Sequence, residues 1–148
     1  MVYCVMSGRE KRMKLLWVLI SLLILLMGTA CESGSKLFSQ EEIEGKFPDT
    51  RPGYVRLAGE KIGFQEAAFD YDDKAILYVK EYVDPQFVEY EPAKGLEIYV
   101  VEFEDFTTKY KKVDEAFFRK HIADYASRPF RVKTDGSECL AIVEIYVP

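Results

Sequence analysis

The sequence predicts an α+β domain: a mainly antiparallel sheet, one principal helix packed on one of its faces, and a short N-terminal helix. Three observations carry this expectation. Alternating apolar runs are separated by turn residues, one strong helical stripe lies late in the chain, and two alternating segments flank Thr134-Asp135-Gly136-Ser137 near the end.

Ser39-Gln40-Glu41-Glu42 has the outline of a capping box, so a short helix to about Lys46 is expected. The stretch PDTRPG (48–53) breaks it. Residues 54–58 and 61–71 read as strands on either side of Gly59-Glu60. Asp72-Asp73 marks a turn, and residues 74–83 read as a strand with Ala75, Leu77, Val79 and Val83 on one face. Asp84-Pro85 and residues 91–95 bound a looser stretch. Residues 96–103 are apolar on both faces, as in a central strand. The principal helix is expected over about 113–126, where Phe118, Ile122 and Tyr125 share a stripe, with Phe117 and Ala126 beside it. Arg128-Pro129 ends it. Residues 130–133 and 138–147 complete a terminal hairpin.

Residues 1–30 stand apart from this domain. Positions 15–27 read LLWVLISLLILLM without a charge, after Arg9, Lys11, Arg12 and Lys14 and before Gly28, Thr29 and Ala30. A basic start, an apolar run of about 7–15 residues and small residues before a cut make a secretory signal peptide. The run is shorter than the roughly 20 residues a spanning helix needs.

Cys31 follows at once, and MGTAC resembles the lipobox read by the lipoprotein signal peptidase. The resemblance is to bacterial lipoproteins and covers residues 9–31 only; Gly28 stands where that motif usually has an aliphatic residue. It implies cleavage before Cys31, a diacylglycerol thioether on its sulfur, and acylation (palmitate or a similar chain) of the new amine. Met13-Lys14-Leu15-Leu16 opens a compact signal peptide by itself, so a start at Met13 leaves the mature chain unchanged. The implied address is the cell envelope, with the protein held at the membrane by its lipid. Glu32 after the cysteine resembles outer-membrane sorting, on the periplasmic side, in a Gram-negative host. Residues 31–38 then form a lipidated tether of at most ~28 Å, and residues 39–148 form one domain. For that domain no family resemblance is drawn.

Charge and cysteine content narrow the function. The chain has 20 basic and 25 acidic side chains; without residues 1–30 these become 16 and 24, a net charge of −8. That excludes nucleic acid as the natural partner and leaves the lipid to hold the protein at the membrane. With Cys31 lipidated, Cys139 is the one remaining thiol of the mature chain, so an internal disulfide is excluded. It lies in an apolar run and reads as a small buried hydrophobe.

Catalytic signals are sparse. A single histidine, His121, argues against histidine-based catalysis and against His-rich metal sites, and no zinc motif, phosphate loop or nucleophile elbow is present. No cofactor is expected beyond the lipid on Cys31. Asp70, Asp72 and Asp73 in FDYDD supply oxygen ligands but lack the glycine and distal glutamate of an EF-hand loop. Lys109, Lys111 and Lys112, with Arg119 and Lys120, form a basic cluster read as a solvated helix entry.

The mature chain holds nine Tyr and ten Phe but no Trp. Tyr78 and Tyr82 share one face of the expected 74–83 strand, and Tyr99 and Tyr146 lie in other expected strands. These four are the candidate partner-binding face, because tyrosine gives rigid contact area with a polar tip. The reading is a lipid-anchored, non-enzymatic binding or scaffold module whose partner is another envelope protein. The alternative is a small envelope hydrolase or enzyme inhibitor using the acidic cluster from Asp70 to Asp73.

Overall fold

The structure is a computed structural model that describes residues 36–147; the signal peptide, Cys31 and most of the tether lie outside the described residues. Along the chain run β1 (Leu37–Phe38), α1 (Gln40–Lys46), β2 (Arg51–Ala58), β3 (Lys61–Tyr71), β4 (Leu77–Tyr82), β5 (Val88–Glu104) and β6 (Thr107–Val113). Then come α2 (Glu115–His121) with a 3-10 turn (Ile122–Tyr125), β7 (Phe130–Asp135) and β8 (Glu138–Glu144).

The sheet order is β1-β6-β5-β8-β7-β2-β3-β4, and β3 also pairs with β5 through Ile62 opposite Tyr90 and Phe64 opposite Val88. That extra pairing closes β2, β3, β5, β8 and β7 into a five-stranded barrel. Every pair in the ring is antiparallel except β5 with β8. A Greek-key ring of five strands, with α2 between the third and fourth, is an OB-type barrel. The architecture by itself carries no function.

This corrects the expected helix-on-sheet α+β arrangement. Strands hold 57% of the described residues and helices 16%. The principal helix expected over 113–126 shrinks to the seven residues of α2, because 107–113 belong to β6 and Asp114 caps the helix at the Phe117 amide. Its stripe is real: Phe118 is buried in the barrel core, with Ile122 and Tyr125 packed against that core. A sheet that closes on itself covers its own apolar face and needs no helix to lie across it.

Two cores result. Inside the barrel lie Val55, Ile62, Phe64, Ile98, Val132 and Ile142, with Phe118 and Phe130 meeting edge to face. Outside it, Ile43 of α1 packs on Tyr99, Tyr110 and Val143, with Phe38, Phe47 and Val101 around them. Ser39 and Glu42 make the expected capping box, which seats α1 at this spot. Gly53 is needed where β2 crosses β3, since a Cβ there would lie 2.2 Å from the Gln65 carbonyl oxygen.

Two hairpins overhang the barrel. β3 continues past the ring to pair with β4, through a register shift at Ala68/Phe69. The expected 74–83 strand is shorter than its pattern, because residues before Leu77 form the turn. β5 likewise continues to pair with β6, which the sequence reading missed.

Candidate functional site

The four candidate tyrosines do not make one face. Tyr78 and Tyr82 lie on β4, 46% and 52% exposed. Tyr99 is fully buried under α1, between the rings of Phe38 and Phe47, and so cannot touch a partner. Tyr146 lies past the end of β8, its ring edge-on to Phe103 at 5.2 Å, and shares a pocket with Tyr71 of β3.

β4 is the last strand of its sheet, so among the described residues nothing pairs with its outer edge. Exposed apolar side chains collect around it: Tyr71, Ile76, Tyr78, Tyr82 and Val83. Tyr54 of β2 supports Tyr82, tilted against it at 6.5 Å and edge-on to Phe69 at 5.5 Å. Asp84 fastens the far end, its carboxylate accepting from the Glu66 amide. An open strand edge offers unpaired amides and carbonyls to another chain.

The carboxylates at the tip of the β3–β4 hairpin serve the turn. Asp72 Oδ1 accepts from the amides of Lys74 and Ile76, and Asp70 accepts from the Tyr71 amide while facing Lys80 at 3.6 Å. Among the described residues no three His, Cys, Asp or Glu side chains are grouped to hold a metal.

Among the described residues the other reactive side chains lie apart from one another. Burial pushes the Cys139 thiol up to about 12, against a weak contact to the Ala141 carbonyl. His121 stacks on Phe117 at 4.2 Å, with Nδ1 2.8 Å from the Phe117 carbonyl oxygen. The basic cluster is dispersed: Lys111 faces Glu102, Lys112 faces Glu97, and Arg119 bonds Glu115 and the carbonyls of Gly59 and Glu60.

Two charged groups hold the outer core in place. Glu97 Oε2 accepts from Lys46 at 2.6 Å, Lys112 at 2.8 Å and the Tyr99 hydroxyl at 2.8 Å. Partial burial works against its charge, but Lys112, Lys46 and Tyr99 outweigh it and hold the carboxyl at about 2. Glu144 is buried, with Arg128 at 2.6 Å on one oxygen and the Val101 amide at 2.7 Å on the other.

Sequence reasoning missed a second exposed aromatic site, at the β5–β6 hairpin. Phe106 is fully exposed at its tip and Phe103 is 63% exposed at its side. Beside Phe103 runs a groove of about 310 Å³ lined by Val101, Arg128, Glu144, Tyr146 and Val147. The sequence signal was weak, because Asp105-Phe106 lacks the glycine that usually announces a two-residue hairpin loop. No family model, curated protein or solved structure matches this chain.

Proposed function

We propose that the chain is a lipid-anchored, non-enzymatic binding module of the cell envelope, and that β4 receives an extended segment of another envelope protein. The observation that carries the reading is the edge of β4, which no strand among the described residues pairs, with Tyr78 and Tyr82 exposed along it. Strand addition supplies main-chain hydrogen bonds for affinity, and alternate side chains supply the choice of partner. The register shift at Ala68/Phe69 sets Tyr82, opposite Ala67, and Tyr78, opposite Asp70, on opposite faces of β4, so each provides rigid contact area on its own side of the added strand. The lipobox-like MGTAC supports the anchor, with Cys31 as the attachment point.

Two variants of the full chain, expressed in the native host, test both halves. Cys31→Ser is expected to abolish labelled-palmitate incorporation and membrane fractionation. Tyr78→Ala with Tyr82→Ala is expected to retain both, keep the parent melting temperature within a few degrees, and lose the co-purifying envelope protein. Palmitate on the Cys31→Ser chain contradicts the anchor; full partner recovery by the double tyrosine variant contradicts the β4 surface.

A further inference from the structure

The second exposed aromatic site carries an inference independent of β4. Glu104 pairs with Thr107, so Asp105 and Phe106 form a two-residue hairpin loop, and both are left-handed, with φ of 48° and 60°. Such a loop favours Asn-Gly or Asp-Gly, because only a residue without Cβ enters this region freely. A bulky side chain there is a conformational outlier. The chain nonetheless places at that point a phenyl ring that its own domain leaves fully exposed.

The groove for such a ring lies on the same hairpin. Its apolar walls are Val101, Phe103, Tyr146 and Val147, and about 310 Å³ is at the small end of ligand-sized cavities, enough for one aromatic side chain. Phe103 and Val147 are exposed on its rim. Arg128 forms part of the wall. One of its nitrogens, Nη1, donates to Glu144, while the side chain stays 49% exposed, leaving donor surface toward solvent.

We infer that tip and groove are two halves of one self-complementary interface, through which a second copy of this chain binds. Tip and groove lie side by side on the β5–β6 hairpin, so a two-fold axis beside that hairpin carries the tip of each copy toward the groove of the other. Each Phe106 then enters the partner's groove beside Val101, and the relation is reciprocal, as a two-fold interface requires. Charge agrees with this pairing. Glu104 and Asp105 precede the ring, and the charge the groove exposes to them is Arg128, since its partner Glu144 is buried. The same carboxylates disfavour an anionic lipid surface as the occupant.

The test uses residues 35–148, which form one compact unit containing the closed barrel and both cores. Sedimentation equilibrium across a micromolar to submillimolar series is expected to show the mass rising from one chain to two. Phe106→Gly is expected to stay at one chain throughout while melting no lower than the parent, since Asp-Gly suits the loop. Val147→Asp, at the groove rim, is expected to stay at one chain as well. A parent that remains monomeric at the highest concentration overturns the inference. So does a Phe106→Gly variant that dimerises like the parent. Phe106-dependent binding of the parent to phosphatidylcholine–phosphatidylglycerol vesicles, without dimer formation, overturns it in favour of a membrane contact.

Discussion

Ile98 and Tyr99 are consecutive residues of β5, both fully buried, and they belong to different cores. Ile98 points into the barrel with Phe64 and Phe118, while Tyr99 points out beneath α1 with Ile43 and Val143. The strand is thus a shared wall. Its hydrophobic character on both faces comes from a helix on the outside and a closed ring on the inside.

That relationship separates the tyrosines by stability. Tyr99→Ala is expected to cost about 3–5 kcal/mol, the range for truncating a buried aromatic side chain. Tyr78→Ala and Tyr82→Ala are each expected to cost about 1 kcal/mol or less, since both rings are half exposed. Urea unfolding of the three single variants reads the difference directly. Equal losses at Tyr99 and Tyr78 would contradict the placement of Tyr99 in the outer core.

The Glu97 cluster makes a pH prediction. Its carboxyl is held at about 2 in the folded protein, below its ordinary value of 4.5, so the folded state binds the proton less readily than the unfolded chain. Stability from this group is therefore fully present above pH 4.5 and is lost as pH falls toward 2. Glu97→Gln is expected to lower stability at neutral pH by about 1–2 kcal/mol, discounted for the partly exposed lysines. The gap to the parent should close as unfolding is repeated down to pH 2. A gap that stays constant between pH 7 and pH 3 would contradict the three-way contact at Glu97.

Glu144 and Arg128 form an unequal pair. The carboxylate is buried, while the guanidinium is half exposed and rests 5.1 Å above the Tyr125 ring. Arg128→Ala leaves a buried charge with the Val101 amide as its remaining bond and is expected to cost about 2–4 kcal/mol. Glu144→Gln keeps an acceptor for that amide and lets Arg128 turn to solvent, so about 1 kcal/mol is expected. Combining the two should cost no more than Arg128→Ala alone, because the buried charge is gone. A strictly additive double variant would show that the two side chains act independently.

Much of the local structure was legible in the sequence because its causes are local. Ser39 and Glu42 announced the cap of α1, Gly59-Glu60 and Asp135-Gly136 announced two hairpins, and the stripe through Phe118 announced a buried helical face. Closure of the barrel was not legible. It rests on Ile62 and Phe64 pairing with Tyr90 and Val88, and inward residues alternate in the same way in an open sheet and in a ring.

β6 was hidden for a different reason. One residue of it, Tyr110, is buried, in the outer core, and Lys109, Lys111 and Lys112 around it read as a charged helix entry. With β6 unseen, Phe106 could not be placed at a hairpin tip. Period 2 placed Tyr78 and Tyr82 on one face, which the register shift at Ala68/Phe69 undoes, and it drew in Tyr99 because it cannot tell an open face from one covered by α1.

We propose above that the edge of β4 is where the protein meets an envelope partner. Site-specific photo-crosslinking in living cells tests it most directly, with the photoreactive residue placed in turn at Tyr78, Tyr82 and, on α2, the exposed Lys120. One discrete adduct with an envelope protein is expected from positions 78 and 82, none from position 120, and loss of that adduct in the Cys31→Ser background. No adduct from β4, or an equal adduct from position 120, would contradict it.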